Sequence, residues 1–531
     1  ARYVDHFLTD DPLLGIEVRS PLTRVLLPTI ALAEVNAFAT EWIVDRNRVI
    51  LASSPAKQGV VVPTDSALRT VVDRARTAPV TAYTDEAVAA AIVPSPPPPG
   101  RIVSERKIEA LGVTEWTLSN GARVVIKPTD FQADEILIAG VSLGGVGGLS
   151  PERYYSARLG PLLLERGGAG SIDAIELNKL LAGKRAAVSA EFDDRAESIS
   201  GPTTLKDLET YFQLLWARTL TPRVDTAAVT ALKQQYTTFV KGRANDPAAA
   251  YSDTIGITMS QGHPLARPVS EAIIQSLDVN VALEVFRDRF RDFSDFTFVI
   301  VGAVQPETMR PFVEHWLAPL PGGGRRETPH DPGVRPPTGK IEKTLRKGIE
   351  PKAQTTIIIT GETPWTRDAT MRAAAITEIL DIRMRESLRE DLGGTYNVGV
   401  SAGIDRWPAG RFTTAVSFGA APERIDSLAQ VALGVLRKFA ADGPTQDELA
   451  KVRENLLRGR ETALRQNSFW LSLLENEALW SEDPADNFQT FTGRVKAVDA
   501  ASVRALARVL FNETNLARFT LLPERAGGAR H

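Results

Sequence analysis

The stretch Leu388-Arg389-Glu390-Asp391-Leu392-Gly393-Gly394-Thr395-Tyr396-Asn397-Val398 changes its residue pattern twice over a short distance. It begins as the end of an apolar helical pattern, its adjacent glycines favour a turn, and the residues from Tyr396 onward favour a strand. Working outward from it, the sequence predicts strands at residues 355–360, 396–402 and 410–418 and helices at residues 367–389 and 423–440. Downstream, Thr445-Gln446-Asp447-Glu448 has the pattern of a capping box, which predicts that a further pair of helices begins there.

Residues 101–325 show a similar order of elements. Asn120-Gly121 separates two strand-like runs and predicts a β-hairpin, because this dipeptide tolerates the positive φ angles of a two-residue turn. A third strand is expected at residues 135–143 and a last one at 296–302, with helices at 154–164, 172–181, 205–217 and 225–240 between them. The run Gly144-Gly145-Val146-Gly147-Gly148 is expected to be a flexible connector. The predicted fold class is α+β, with a mixed or antiparallel sheet covered by helices in each domain.

A segment made of a helix and a strand occurs three times in the chain. The apolar residues of the helix have the same spacing in each copy: Ile30, Val35, Phe38 and Ile43; Leu277, Ala282, Val285 and Phe290; and Val498, Val503, Leu506 and Phe511. A strand-like run follows each helix, at residues 49–51, 296–301 and 519–522. The copies lie about 220 to 250 residues apart, which is the size of a domain. They predict two whole homologous domains preceded by the end of a further such domain.

Proline- and glycine-rich segments mark the expected boundaries. Residues 94–100 include a polyproline run, and residues 321–337 contain three consecutive glycines and a Pro-Pro pair. We therefore expect residues 1–55 to be the end of a preceding domain and residues 56–100 to be a linker. The two whole domains are expected at residues 101–325 and 340–531.

Composition excludes several classes of function. The chain has 531 residues and a net charge of −3, from 62 Lys and Arg and 65 Asp and Glu, so nucleic acid is not an expected partner. It has no cysteine, which excludes disulfides, thiolate nucleophiles and cysteine-ligated metals. No apolar run is long enough to predict a transmembrane helix. The beginning, Ala1-Arg2-Tyr3, lacks both Met and an apolar signal core, so the chain is expected to be part of a longer protein or a processed product.

Catalytic motifs that a chain could carry alone are also missing from the sequence. The five histidines, at positions 6, 263, 315, 330 and 531, are too far apart in sequence to form a local zinc pair. Glu314-His315 is expected to lie on a solvated helix face. A Gly-x-Ser-x-Gly elbow and a phosphate-binding P-loop are both absent.

The stretch around Arg389 and Tyr396 resembles the arginine–tyrosine motif of the pitrilysin/insulinase family of zinc metallopeptidases. Residues 117–121, 296–302 and 442–449 also resemble strings of that family. The resemblance implies domains of the LuxS/metallopeptidase-like fold, four of them forming two bowl-like halves around a chamber. This chain fits the C-terminal, non-catalytic half: its two whole domains would be the third, without a zinc motif, and the fourth, with the Arg/Tyr motif.

The family's inverted His-x-x-Glu-His zinc motif has no counterpart in this sequence. Residues 158–166, expected to be the equivalent helix, contain no histidine, and residues 232–235 have no glutamate where a further ligand is expected. The resemblance therefore implies no metal or other cofactor in this chain and zinc in a partner half. That half would be an N-terminal portion of the same precursor or a separate subunit.

The resemblance also implies a role for the two motif residues. Arg389 and Tyr396 would stabilise the transition state of peptide hydrolysis in trans to the zinc, on extended peptide substrates, and this chain alone would be inactive. The structural alternative is that Arg389 interacts with helix C-terminal carbonyls and Tyr396 is a half-buried strand residue. The functional alternative is a catalytically inert scaffold or binding protein of the same fold. A bacterial periplasmic or cell-envelope location is favoured.

Overall fold

The computed structural model describes residues 2–44, 46–54, 59–81, 91–390 and 395–524, and the chain forms two compact units, Ala1–Glu86 and Ala87–His531. The described part of the first unit contains four helices and no strand: α1 (Arg2–Thr9), α2 (Ile16–Leu26), α3 (Leu32–Trp42) and α4 (Asp65–Thr77). None of these helices has a buried residue.

The strand predicted at residues 49–51 is therefore not formed. These residues are exposed, and the described part of the first unit offers no other strand with which they could pair. Among the described residues, no single helix is long and apolar enough to cross a membrane. The bent pair Ile16–Thr29 and Leu32–Trp42 satisfies the length and composition test only when its two parts are taken together.

The second unit contains two mixed sheets and many helices, which confirms the predicted α+β class. Its first part comprises β1 (Ile102–Ile108), β2 (Val113–Leu118), β3 (Arg123–Pro128), β4 (Ile136–Leu143), α5 (Pro151–Arg158), α6 (Gly160–Glu165), α7 (Ala174–Leu181), β5 (Ser189–Phe192), β6 (Ala196–Thr203), α8 (Leu208–Leu220), α9 (Thr226–Arg243), α10 (Pro247–Met259), α11 (Glu271–Ser276), α12 (Val279–Arg289), β7 (Thr297–Gly302) and α13 (Pro306–Phe312). The strands form a seven-stranded sheet in the order β1-β2-β3-β7-β4-β6-β5. Neighbours in it are antiparallel except β3 and β7, which are parallel.

The later part of the second unit forms a five-stranded sheet. It comprises β8 (Lys340–Arg346), β9 (Ala353–Glu362), α14 (Arg367–Arg385), β10 (Thr395–Asp405), β11 (Arg411–Ala420), α15 (Ile425–Asp442), α16 (Gln446–Ala463), α17 (Asn467–Leu479), α18 (Pro484–Lys496), α19 (Ala500–Leu510) and β12 (Leu516–Leu522). The strand order is β10-β11-β9-β12-β8, in which only β12 and β8 are parallel. Thr445 and Glu448 form the predicted capping box at the start of α16.

Each sheet buries one face under helices that follow in its own part of the chain. The first core surrounds Trp116, Tyr211 and Phe298, all fully buried. The second core packs α14, α15 and α19 on the five-stranded sheet and includes Ile376 and Phe439. The two cores explain why the alternation of apolar residues is clear in strands such as β11, where every second residue is buried.

The second face of each sheet is covered by a helix from the other part of the unit. Helix α17 packs on β4 and β7, where Trp470 and Leu474 lie in one apolar cluster with Val125, Val299 and Val301. Helix α10 packs on the five-stranded sheet, where Tyr251 contacts the cluster formed by the residues Ile358, Ala517 and Phe519. The hydroxyl of Tyr251 also donates a 3.0 Å hydrogen bond to the carbonyl oxygen of Phe519. This reciprocal exchange holds the two sheets together in one unit.

Two local predictions were wrong. The helix expected at residues 154–164 is divided into α5 and α6, because Pro161 has no N–H to continue the helical hydrogen bonds. The glycine run at residues 144–148 is a closely packed turn rather than a flexible connector. A Cβ atom at Gly145, which has φ of +66°, would lie 2.5 Å from the backbone nitrogen of Arg195.

Candidate functional site

The two residues of the Arg/Tyr motif lie on consecutive elements. Arg389 lies in a π-helical turn, Glu386–Glu390, directly after α14, and Tyr396 is the second residue of β10. Their side chains and residues 391–394 lie outside the described part of the structure. Their proposed catalytic roles therefore stay predictions, but their backbone positions and the surroundings can be given.

The end of α14 is held firmly before the motif begins. Leu388 and Met384 are fully buried in the second core. Arg383 forms a bidentate pair with Glu448, with Nε–Oε1 and Nη2–Oε2 distances of 2.7 and 2.8 Å, and its guanidinium lies 4.9 Å from the ring centre of Phe439. The helix that leads to Arg389 is thus tied to the start of α16.

The hydrogen bonds of Glu448, the partner of Arg383, determine its charge state. Burial by itself would raise the pKa of Glu448, but hydrogen bonds from Arg383 and from the N–H and hydroxyl of Thr445 lower the pKa to about 2. Glu448 is therefore ionised at neutral pH. The same carboxylate caps α16 and neutralises Arg383.

Strand β10 has two features that are common at functional sites. It is an edge strand, and its pairing with β11 shifts register between Thr395 and Val398, the interval that contains Tyr396. Bulges of this kind re-aim side chains and interrupt regular pairing. Farther along, Ala402 donates its N–H to Thr377 Oγ1 of α14 at 3.1 Å, so the helix covers the strand edge there.

A cleft of about 1200 Å³ lies beside the beginning of β10. Its walls are the turn between α9 and α10, the loop between β8 and β9, and the ends of β10 and β11; the lining includes Asn245, Pro247, Lys347, Glu350, Asn397, Gly399, Ser417 and Gly419. Asn397 directly follows Tyr396, so the motif strand forms one wall of the cleft. The lining mixes backbone, small side chains and charged groups of both signs.

The loop between β8 and β9 is fixed against α10. Lys347 donates to the carbonyl oxygen of Ala244, and Gly348 has φ of +87°. A Cβ atom at Gly348 would lie 2.8 Å from Pro247 Cγ, so only glycine fits this close approach without displacement. The wall of the cleft opposite β10 is therefore determined by the contact between the two parts of the unit.

Helices α6 and α9, expected to correspond to the zinc-ligand helices of the family, do not fit a zinc ion. Leu162 and Leu163 of α6 pack against Leu232 and Tyr236 of α9 in an apolar cluster. Glu165 at the end of α6 is paired with Arg218 at 2.8 Å. A zinc site needs His, Asp or Glu donors, and the described residues contain no group of three or more residues of the ligand types His, Cys, Asp and Glu.

Sequence reasoning missed a buried carboxyl group on β6. Glu197 is 2% exposed; it accepts a 2.8 Å hydrogen bond from the N–H of Gly145, and Arg289 Nη1 lies 4.0 Å away. Burial raises its pKa to about 8, although the Gly145 bond and Arg289 oppose the rise. The glycine run was the only sequence signal, since a backbone N–H can approach a carboxylate closely where no Cβ intervenes.

Comparisons with known proteins agree with this fold. The family model described as peptidase M16 inactive domain matches residues 277–456, a range that includes the Arg/Tyr motif. The zinc protease PQQL-like of Arabidopsis thaliana is 25% identical over 488 residues, covering 88% of this chain and 48% of that protein. The chain thus spans about half the length of this relative.

Two solved structures are similar to this chain. The periplasmic protease PqqL of Escherichia coli superposes with a TM-score of 0.72 and 21% identity, covering 98% of this chain and 58% of that one. The first half of the same protease superposes with a TM-score of 0.62 and 12% identity, covering 81% of this chain and 93% of that one. The sequence match and these folds confirm the resemblance to the M16 (pitrilysin/insulinase) peptidase family, and residues 277–456 match its inactive-type domain.

Proposed function

We propose that this chain is the zinc-free, substrate-binding half of a two-half zinc metallopeptidase and contributes Arg389 and Tyr396 to a composite active site. The observation that carries the proposal is the place of the motif. Its tyrosine lies in a bulged interval of an edge strand that forms a wall of a cleft. Two features support assignment to the zinc-free half: the inactive-domain match and the apolar packing of α6 against α9.

The chemistry assigned to the pair is stabilisation of developing charge. When water attacks a peptide carbonyl, negative charge grows on the carbonyl oxygen, and a phenolic hydroxyl or a guanidinium can donate hydrogen bonds to it. Zinc in the partner half would supply the activated water. Arg389 and Tyr396 would act from the opposite wall, and the cleft would hold part of an extended peptide.

The partner in this proposal is a zinc-bearing homologous half. The first half of the E. coli protease has a fold similar to this chain. This similarity supports the proposal that the assembled protein consists of two halves with the same architecture. The same relative is a periplasmic protease, which supports a periplasmic or cell-envelope location in a bacterium. The peptidase activity belongs to the assembled protein, and this chain alone is expected to be inactive.

The test is reconstitution of peptidase activity with a zinc-bearing half of this family. We expect no hydrolysis of a fluorogenic peptide by this chain alone and hydrolysis by the mixture. Tyr396→Phe should lower kcat/KM by roughly 10- to 1000-fold, as removal of an oxyanion donor does. Glu191→Gln, on the exposed edge strand β5 of the other sheet, is the control and should leave the rate unchanged.

Two results would contradict the proposal. One is a Tyr396→Phe variant with full activity. The other is a complex of two folded halves that hydrolyses no peptide, which would favour the inert scaffold instead. Binding of the two halves is measured in parallel by light scattering, so that failure to assemble is not mistaken for failure of catalysis.

A further inference from the structure

A second cavity, of about 350 Å³, lies where the two parts of the second unit meet. The first part contributes the turn between β5 and β6. The later part contributes the loops that follow β9 and β10, helix α17 and the beginning of α18. Of the described residues, none lines both this cavity and the cleft beside β10. We call it the junction cavity, because both parts of the unit are needed to form it.

Two of the three arginines that line the junction cavity are paired with glutamates. Arg367 donates to both carboxylate oxygens of Glu477, at 2.9 and 2.6 Å, and Glu477 is buried. Arg406 donates to Glu482 Oε1 at 2.8 Å. Among the described lining residues, three guanidinium groups thus face two carboxylates, which leaves a surplus of one positive charge.

The third arginine, Arg195, supplies that surplus. In the described part of the chain no carboxylate oxygen lies within hydrogen-bonding distance of its guanidinium: Asp193 Oδ2 is 3.8 Å from Nε. Asp193 Oδ1 instead accepts hydrogen bonds from the N–H groups of Arg195 and Ala196, at 2.7 Å each. Glu475 interacts with Arg195 electrostatically, but burial raises the pKa of Glu475, which favours its neutral form. The side chain of Arg195 is 33% exposed and can pair with an incoming anion.

Aromatic and apolar side chains form the rest of the surface that a ligand would meet. The guanidinium of Arg406 lies 4.6 Å from the ring centre of Trp365 and 4.2 Å from that of Trp480. Such cation–π contacts hold the two indoles in place. The guanidinium of Arg195 lies 5.6 Å from the ring centre of Trp480, so the surplus charge borders an aromatic surface. Phe469 of α17 extends that surface.

We propose that the junction cavity binds a carboxylate that carries an aromatic or other apolar group. The carboxylate pairs with Arg195, because a guanidinium can donate two parallel hydrogen bonds to it. The apolar group lies against Trp480 and Phe469, whose rings offer a large contact area. A surplus of one positive charge suits a monoanion, whereas a phosphate dianion would be repelled by the nearby Glu482. The volume lies within the range of about 300–1,000 Å³ that is usual for small-ligand sites.

Two sources share this chemistry: the C-terminal residue of a peptide and a free aromatic acid. Either ligand contacts Arg195 of the first part and Trp480 of the later part, so it should stabilise the contact between them. All the residues that carry the inference belong to this chain. The inference therefore does not depend on a partner half or on the proposed peptidase function.

The experiment is isothermal titration calorimetry of the full chain with N-acetyl-L-phenylalanine. We expect a Kd of about 1 mM or tighter, as is usual for a ligand of this size. N-acetyl-L-phenylalaninamide lacks the carboxylate and acetate lacks the ring, so each should bind at least about 10-fold more weakly. Equal affinity for the amide would overturn the proposal, and so would the absence of binding by the acid at about 10 mM.

Arg195→Gln tests the assigned cation. It should weaken binding of N-acetyl-L-phenylalanine by at least about 10-fold, because a charge-assisted pair is lost. Arg185→Gln is the matched control: Arg185 lies shortly before β5, pairs with Asp134 at 2.7 Å and does not line the cavity. It should leave the affinity unchanged. Circular dichroism verifies that both variants are folded, and equal affinities of the two folded variants would contradict the proposal.

The source of the carboxylate is distinguished with two further probes. Tighter binding of the tripeptide Gly-Gly-Phe than of 3-phenylpropanoate would support a peptide C-terminus, and the reverse order would support a free aromatic acid. Failure of binding by both would overturn the proposal. Peptidase activity is measured separately with the zinc-bearing half, so a failure of the proposed function and a failure of this inference are seen in different experiments.

Discussion

The edge hairpins of the two sheets have the same topology and different surroundings. Strands β5 and β6 end the first sheet, as β10 and β11 end the second. The first edge strand is short, and Glu197 of its partner strand β6 is buried against the glycine turn. The second edge strand is longer, has a register shift near Tyr396 and forms a wall of a cleft. The comparison teaches that one fold, used twice, places a cleft of about 1200 Å³ beside the hairpin that carries the motif and a buried carboxyl group in the other hairpin.

The largest expected effect on stability comes from removing a contact by which a helix of the later part of the unit covers the first sheet. Trp470 of α17 covers the first sheet, and Lys127 Nζ lies 4.5 Å from its ring centre. Trp470→Ala should lower the free energy of unfolding by about 3–5 kcal/mol, the usual cost of such a truncation. Urea unfolding followed by circular dichroism measures it. A loss below about 1 kcal/mol would show that the exchanged helices contribute little.

The first hairpin, β5 and β6, should make stability depend on pH through the buried Glu197. The folded-state pKa of Glu197 is raised, so its contribution to stability is fully present below the unfolded value and is lost as pH rises towards about 8. Glu197→Gln keeps a neutral side chain at every pH. The unaltered chain should lose stability between pH 5 and pH 8. The substitution should reduce that loss by an amount of the order of 2 kcal/mol.

Urea midpoints at the two pH values test this expectation. Glu191→Gln, an exposed change on the same hairpin, should retain the pH dependence of the unaltered chain. If Glu197→Gln destabilised the protein at pH 8 and left the pH dependence of its stability unchanged, the carboxyl group of Glu197 would not be buried in its neutral form.

A smaller effect is expected at the anchor of the second hairpin. Arg383→Met removes the bidentate pair with Glu448 and should cost about 1–3 kcal/mol at pH 7. The pKa of Glu448 is lowered to about 2 in the folded state, so the stabilisation is present above the unfolded pKa and falls as pH decreases towards 2. The cost of the substitution should thus be smaller at pH 3 than at pH 7.

Arg385→Met is the control for that measurement. Arg385 lies on the same helix and pairs with Asp381, but its side chain is 49% exposed. Exposed pairs contribute little, so this substitution should change stability by less than about 1 kcal/mol. Equal costs for the two arginines would mean that the anchor does not depend on Glu448.

Several features were predictable from the sequence because they depend on neighbouring residues. The hairpin at Asn120-Gly121, the capping box at Thr445 and the helices of the repeat all follow from turn chemistry, capping and helical periodicity. The position of the Arg/Tyr motif between a helix and a strand was also read correctly. Strands β1, β5, β6 and β8 were not predicted, since they are rich in polar and small residues and lack a clear apolar alternation.

The sequence by itself determined the resemblance to the family, the α+β class and the lack of a local zinc motif, because these rest on residue identity and short-range spacing. Only the tertiary structure decided which helix covers which sheet, how the cleft is enclosed and why Glu197 is buried. Those features join residues far apart in the chain, as in the contact of Tyr251 with Phe519. No local pattern encodes such pairings, since many combinations of amphipathic helices and sheets would satisfy the same apolar faces.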